Sequence, residues 1–570
     1  MKNFPVRVLK ASFSILPERL KSQLRKQYGL KAWYGERLRR SSLAYEVPSL
    51  RKIRKLLTVN LLDQKEFLCR KEAVLDQYSA KINVLIVGDG NVAATLKSLQ
   101  RIKPVINTVW VGKHCVPSDC DSRHDFVVRA YYEDDAMFTT RTLVIEAGVQ
   151  LHQQLALPIL MLPARGDLCY FDSINVNDKE RLSGYHFVPD WNPDLQISSA
   201  YINEAVLLNT PMSLQFIDRF VTHGIAATMV HVYFHSTQLN ITHQPFVLSV
   251  RKSLSFNGMN RLSQELTGNT SIVNVTPGSL KVQWPIKNQP LVSLIIPTFN
   301  GKDLVKMCIE SILQKTTYLN YEILLIDNNS DDPEALAYFN ELELHPKIRL
   351  LRYPHPFNYS AINNFAVKHA KGEVIGLINN DIEVITPEWL EYMVGHAMRE
   401  DIGCVGAKLL YPDDRIQHAG VVLGYGGGAG HAHKYFPRYH PGYMNRLIAT
   451  QNYSAVTAAC LLVKKSIYEG VGGLDEVNLE VAFNDVDFCL RVLETGVRNL
   501  YCAEAELYHH ESVSRGLDIT VEKAARFNKE LVYLQTQWKK YIDHDPAYNS
   551  NLTLKRENFS IKDLKEYERD

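Results

Sequence analysis

Three short polar clusters hold residue types that suit chemistry on a phosphorylated ligand. They are Pro297-Thr298-Phe299-Asn300-Gly301, Asp327-Asn328-Asn329-Ser330 and Asn379-Asn380-Asp381-Ile382-Glu383. Asp381 and Glu383, flanked by Asn379, form an oxygen-donor set. Hard divalent cations such as Mg²⁺ or Mn²⁺ take such donors and commonly keep substrate phosphates in their shell. Two more groups lie downstream. Phe483-Asn484-Asp485-Val486-Asp487 opens a helical stretch, where Asp485 suits either a proton acceptor or a helix N-cap. Tyr508-His509-His510-Glu511-Ser512 offers imidazoles that suit either metal ligation or a plain polar surface.

The elements that must position these groups are legible around them. The clusters follow the apolar runs Val292–Ile296, Tyr321–Ile326 and Glu373–Ile378, with Lys347–Tyr353 between the last two. Strand-like runs alternating with helical stretches predict crossover units and a mostly parallel sheet. In such sheets ligands sit beyond the carboxyl ends of the strands. Three polar clusters at neighbouring strand ends should therefore converge on one crevice, although each alone also has the composition of a turn. A helix with Leu304, Met307, Cys308 and Ile312 on one face joins the first two runs.

Upstream, Asn83–Val87, Thr108–Val111, Thr142–Glu146 and Pro158–Leu162 have the pattern of strands in a first α/β set. The expected organisation is a basic helical segment over 1–75, an α/β domain over 76–275, a linker over 276–290, a second α/β domain over 291–520 and a helical tail over 521–570. The linker holds three prolines and a glycine. In the tail Phe527, Leu531, Leu534, Trp538 and Tyr541 recur at helical spacing, a stripe suited to covering the preceding domain.

The chain has 570 residues, 46% hydrophobic and 22% charged, an ordinary globular composition that excludes collagen-like and coiled-coil chains. Nine scattered cysteines argue against a secreted disulfide scaffold and for a reducing cytosol. No run reaches the roughly 18–20 apolar residues of a membrane span, and Arg7, Lys10, Glu18 and Arg19 interrupt any signal-peptide core. Net charge is +2, yet residues 1–60 carry fifteen Lys and Arg against three acids, leaving +12 there and −10 elsewhere. Such a basic head suits an anionic surface, with nucleic acid and inner-leaflet phospholipid both candidates and the latter preferred, or merely a solvated helical face. Gly88-Asp89-Gly90 and Gly424–Gly430 complete no dinucleotide fingerprint, and no phosphate-binding GxxxxGK[ST] loop is present.

Taken in order, several segments closely resemble the family 2 inverting glycosyltransferases of GT-A fold, above all the rhamnosyltransferase-like members that build bacterial surface polysaccharides. They are Ser293–Asn300, Ile326–Ser330, Phe357–Asn364, Leu377–Glu383, Phe483–Asp487 and His509–Gly516. The resemblance implies that Pro297, Thr298 and Asn300 border the base and ribose of a nucleotide sugar, and that Asp327 hydrogen-bonds the base. Asn329, Asn379 and Asn380 complete the donor-binding set. It implies a divalent cation, Mn²⁺ or Mg²⁺, on Asp381 and His509, with His510 as fallback. Asn379 stands where the family's metal motif has aspartate, so Glu383 or water would compensate. Asp485 matches the catalytic carboxylate, and Asn484 replaces the more usual glutamate before it. The acceptor, a glycan or lipid-linked glycan, would face the region from Gln417-His418-Ala419-Gly420 to Thr457-Ala458-Ala459-Cys460, with His418, His431 and His433 as a polar wall. No nucleic-acid partner is implied.

In the first half, Pro189-Asp190-Trp191-Asn192-Pro193-Asp194 resembles a segment of two-part surface-polysaccharide transferases. The acidic motif would then fall at Phe171-Asp172-Ser173-Ile174-Asn175, with a single acid, and the front strand ends Val87-Gly88-Asp89-Gly90 instead of a Pro-Thr-Tyr-Asn type loop. That implies a degenerate GT-A-like domain without transferase activity; the rival is a second active transferase. For the chain the expectation is a metal-dependent inverting glycosyltransferase, cytoplasmic and peripheral on the inner membrane face. Two alternatives remain. A sugar nucleotidyltransferase needs a Gly-rich basic loop, where this chain has only Gly301 and Lys302. A non-catalytic glycan-binding scaffold is favoured by Asn379 and disfavoured by Asp381, Asp485 and His509.

Overall fold

The computed structural model describes residues 48–75, 81–112, 126–131, 141–177, 179–236, 238–251, 259–266, 270–276, 278–510 and 520–567. Most of the expected basic head, residues 1–47, lies outside the described residues, and so do Glu511–Gly516. Two compact units emerge. One comprises Pro48–Val282 with Pro546–Leu554 and the chain from Phe559; the other comprises Gln283–Asp545 with Lys555–Asn558. The tail expected over 521–570 is thus divided between the units.

The first unit opens with the helix Leu50–Leu75. Its sheet uses β1 (Ile82–Val87), β2 (Ile106–Val111), β3 (Val128–Ala130), β4 (Thr142–Glu146), β5 (Gln150–Leu151), β6 (Leu168–Val176), β7 (Leu182–His186), β8 (Ala205–Leu208) and β9 (Ile241–Arg251), in the order 3-2-1-4-8-6-9-5 with β7 beside β6. A two-stranded ribbon, β10 (Ser271–Thr276) and β11 (Ser279–Gln283), follows. The run Pro158–Leu162 is not a strand. It belongs to the helix Ala156–Met161, where Pro158 occupies the first turn and its missing N–H leaves no intrahelical bond unmade.

The second unit uses β12 (Val292–Thr298), β13 (Tyr321–Asp327), β14 (Ile348–Arg352), β15 (Val374–Ile378), β16 (Ile382–Val384), β17 (Ile402–Leu410), β18 (Ile416–His418), the small pair β19 (Val421–Leu423) and β20 (Ala429–His431), β21 (Gln451–Tyr453), β22 (Cys460–Lys464) and β23 (Arg498–His509). Their order is 14-13-12-15-22-17-23-16, with β18 beside β17 and β21 beside β23. Strands β12 to β15 are mutually parallel, and β22 turns the sheet antiparallel. Both faces are covered. Leu294 and Ile296 pack in one cluster with Trp389 and Met393, while Ile295 packs in another with Ile362, Leu461 and Phe488. Burial on both sides is why these strands are continuous apolar runs instead of alternating ones.

The two sheets share one topology. Exchanging β1, β2, β3 and β4 for β12, β13, β14 and β15, then β8, β6, β9, β5 and β7 for β22, β17, β23, β16 and β18, reproduces each parallel or antiparallel pairing. The α/β class expected for both halves is therefore met, and the halves have the connectivity of a duplication.

Candidate active site

The second unit gathers its polar strand ends through side-chain hydrogen bonds. At the end of β12 the Thr298 hydroxyl lies 3.2 Å from the Asn300 carbonyl and accepts from Asn380 Nδ2 at 3.0 Å. The Asn300 backbone N–H donates to Ser330 Oγ (2.7 Å), and its amide binds Asp331 Oδ1 and the backbone N–H groups of Asp331 and Asp332. Asn300 adopts φ 48° and Asn329 φ 61°, left-handed turns that Asn tolerates better than most residues. Asp327, buried at the end of β13, accepts from Ser330 N–H at 3.1 Å and pairs with Arg352 at the end of β14. Asn329 is exposed and donates to the His355 carbonyl. Pro297 is half-buried, paired in register with Ile326.

From Asn380 the network continues into the second acid. Asn379 N–H donates to the Ala459 carbonyl (3.0 Å). Its Nδ2 lies 3.2 Å from His509 Nε2, and that nitrogen is 3.1 Å from Asp381 Oδ1. The antiparallel pairing of Ile382 with His509 sets this approach. His509 Nδ1 lies 2.7 Å from Gln417 Oε1, and both residues are buried. Glu383 is not brought to this pair. Its carboxylate is held by Lys315 (3.3 Å) and His510 (3.2 Å). His509 and His510 are consecutive along an extended chain and so face opposite ways. Among the described residues no three His, Cys, Asp or Glu side chains are grouped to hold a metal ion. Asp381 and His509 remain as a pair of donors.

Asp485 lies in the first turn of the helix Asn484–Leu493 and is not its N-cap, a position that falls to Phe483 at φ 60°. Its Oδ2 accepts from Ala458 N–H (3.0 Å) and its Oδ1 from Val486 N–H (2.9 Å). Desolvation raises the pKa of this carboxyl, against the opposing pull of the Ala458 and Val486 amides and the Thr457 hydroxyl. Ala458 and Ala459 are adjacent, so the amide holding Asp485 and the carbonyl holding Asn379 are within one dipeptide, which spans at most ~7 Å. Tyr359 tightens the same point, donating to the Ala458 carbonyl at 3.2 Å. An unbroken path of hydrogen bonds and adjacent residues thus joins Asp327, Asp381 and Asp485.

Two of the three histidines expected on the acceptor wall are interior groups, and His431 on β20 is half-buried. His418 and His433 are fully buried. His418 donates from Nδ1 to the Ala407 carbonyl (2.9 Å), and its Nε2 accepts from Thr457 N–H (3.2 Å). Burial pulls the His418 pKa down to about 4, so it remains a neutral acceptor. The helix Val521–Gln537 braces the Asp485 segment. Glu530 accepts from Val481 and Ala482 N–H at 3.1 and 2.9 Å, and Trp538 beyond the helix donates to Asp487 at 2.8 Å. Arg352 and Glu530 carry no local sequence signal and become functional candidates only through partners distant along the chain; Gln417 and Thr457, expected on the acceptor side, instead contact His509 and Asp485.

Among the described residues the first unit lacks these groups. The turn between β15 and β16 that carries Asn379-Asn380-Asp381 corresponds to Ala147-Gly148-Val149, between β4 and β5. The acidic motif expected at Phe171–Asn175 lies instead on β6, the counterpart of β17. There Asp172 is fully buried and serves structure, binding Val188 N–H, Asn549, Asn551 and His243. Between β8 and β9 the helix Leu214–His235 breaks at Gly224, φ 80°. Two residues after that break stands Ala226, as Asp485 stands two after Phe483.

Residues 293–472 match the family model described as Glycosyl transferase family 2. The Uncharacterized protein y4gI of Sinorhizobium fredii is 41% identical over 436 residues, covering 71% of this chain and 48% of that protein. The O-antigen biosynthesis protein RfbC of Myxococcus xanthus is 33% identical over 431 residues, covering 70% of this chain and 32% of that protein. The chain thus spans about half of the first relative and about a third of the second. Among solved structures, the mannosyltransferase PcManGT from Pyrobaculum calidifontis, in complex with GDP-Man and Mn²⁺, aligns with a TM-score of 0.33 at 18% identity, over 45% of this chain and 67% of that one.

Proposed function

Residues 293–472 are a domain of glycosyl transferase family 2, and on that premise we propose that the chain is a metal-dependent inverting glycosyltransferase. It moves a sugar from a nucleoside-diphosphate donor to a hydroxyl of a lipid-linked surface glycan. The observation that carries this reading is the path joining Asp327, Asp381 and Asp485 at the strand ends of one sheet.

The donor set suits a divalent cation. Adjacent ligands on an octahedral ion with bonds near 2.1 Å lie about 3 Å apart, and Asp381 Oδ1 and His509 Nε2 are 3.1 Å apart. Asp381 and His509 would hold the ion, and Glu383, occupied by Lys315 and His510, would not. Donor phosphate oxygens would fill the remaining positions. When bound, the cation supplies neutralisation of charge on the departing diphosphate. The chain's own residues do the rest. Asp327, oriented by Arg352 and Ser330, accepts from the donor base. Asp485 takes the proton of the attacking acceptor hydroxyl. One displacement with a base on the far face of the sugar inverts the anomeric carbon and needs no covalent nucleophile.

The M. xanthus relative's name supports an O-antigen-like acceptor. The +12 charge of residues 1–60 supports peripheral docking on the anionic inner face of the membrane. The first unit, with Ala226 and Val149 at the counterpart positions, acts without transferase chemistry. The test is a panel of nucleotide sugars scored by thermal stabilisation with and without Mn²⁺. One donor should stabilise the protein only with the metal present; no stabilisation by any donor would overturn the reading.

A further inference from the structure

We infer that Gln417 is a positioning residue that fixes the tautomer of His509, and so presents Nε2 to a divalent cation beside Asp381. The inference rests on the metal-dependent reading above and deepens it. Gln417 lies in β18 and His509 ends β23, and these strands flank the same end of β17: Leu410 pairs with Ile416 on one side and Tyr508 on the other. The two side chains meet at 2.7 Å, Gln417 Oε1 to His509 Nδ1. An amide oxygen only accepts, so Nδ1 carries the proton and Nε2 carries the lone pair. That lone pair lies 3.2 Å from Asn379 Nδ2, whose N–H it accepts, and 3.1 Å from Asp381 Oδ1. Gln417 therefore keeps Nε2 an electron-pair donor that can turn from Asn379 to a cation shared with Asp381, the supporting role that partners of metal-bound histidines play.

The support is also uncharged. Many such partners are carboxylates or backbone carbonyls. With Gln417, the formal charge facing a dication is that of Asp381 alone, which leaves the bound ion an excess of positive charge for a diphosphate. A carboxylate at position 417 would hold the same tautomer while reducing that excess.

The experiment titrates Mn²⁺ into the metal-free full chain by calorimetry, without donor, for wild type, Gln417→Leu, Gln417→Glu and Asp381→Ala. Each variant is first checked for an unfolding transition within a few degrees of wild type. Gln417→Leu should weaken Mn²⁺ binding by about 10- to 100-fold. Gln417→Glu should bind Mn²⁺ at least as tightly as wild type, yet bind nucleoside diphosphate more weakly in its presence. A ¹⁵N spectrum of histidine-labelled, metal-free protein should show the Nδ1–H tautomer for His509 in wild type and Gln417→Glu, and lose it in Gln417→Leu. Unchanged Mn²⁺ affinity in Gln417→Leu, or equal loss in Leu and Glu variants, would overturn the inference even if Asp381→Ala abolishes binding. Binding that survives Asp381→Ala would instead overturn the metal site itself.

Discussion

Asp485→Asn separates the proton-accepting role of this carboxylate from its structural one. An amide cannot accept the acceptor's proton, and general bases contribute typically about 10²- to 10⁴-fold, or about 3–5 kcal/mol of barrier at 1.36 kcal/mol per decade. The structural penalty is smaller. The carboxylate accepts from Ala458 N–H with one oxygen and from Val486 N–H with the other. Asparagine keeps one acceptor and strands one buried N–H, which costs about 1–3 kcal/mol. Opposing that loss is the removal of a desolvated charge. Burial raises this carboxyl's folded pKa, so the ionised form is the one folding disfavours, and the wild type loses stability as pH rises through that pKa. The variant should therefore unfold within a few degrees of wild type, with the gap narrowing as pH rises from acid to neutral. Transfer should fall at least 100-fold while Mn²⁺-dependent donor stabilisation persists. In wild type, kcat/KM should climb through a pKa above that of an ordinary aspartate, and the variant should be flat there. An Asp485→Asn enzyme with more than a tenth of wild-type transfer would refute the assignment.

Further outcomes follow from the same geometry. Arg352→Met should raise the KM for donor with little change in kcat, because it frees Asp327 from the pair that orients it; stability should fall by about 1–3 kcal/mol, since the buried Asp327 carboxylate loses a charged hydrogen-bond donor. His418→Phe removes the acceptor of Thr457 N–H and should lower kcat while leaving calorimetric Mn²⁺ affinity within twofold. Glu530→Gln keeps one acceptor for two backbone N–H groups, so thermal unfolding should show a loss of about 1–3 kcal/mol. Replacing Lys and Arg by Glu in residues 1–40 should abolish co-sedimentation with anionic vesicles at low salt; undiminished sedimentation would remove the docking role.

The strands beneath the site were legible because a sheet covered on both faces spells its strands as unbroken apolar runs, as in Val292–Ile296 and Tyr321–Ile326. The same shorthand failed at Pro158–Leu162, where a short apolar run carries no period and a first-turn proline fits a helix. Asp381 and Glu383 looked like a pair two residues apart, yet the chain presents them to different histidines. What positions the acids was hidden by distance along the chain: Gln417 meets His509 across 92 residues, and Ala458 meets Asp485 across 27. In the first half, Asp172 is the acid of the expected motif, whereas the turn equivalent by topology is Ala147-Gly148-Val149. The tail's apolar stripe announced packing, but nothing local marked Glu530 as the acceptor for the segment leading to Asp485.

Asp381 and His509 are proposed together to hold a divalent cation on the diphosphate of a nucleotide sugar, on the hydrogen-bonded path that joins Asp327 to Asp485. Crystals soaked with Mn²⁺ and a nucleoside diphosphate, measured at the manganese absorption edge, test it directly. The account predicts one anomalous peak about 2.0–2.2 Å from both Asp381 Oδ1 and His509 Nε2, with diphosphate oxygens completing the shell. A manganese ion bound elsewhere, or on Glu383 and His510 instead, would contradict it.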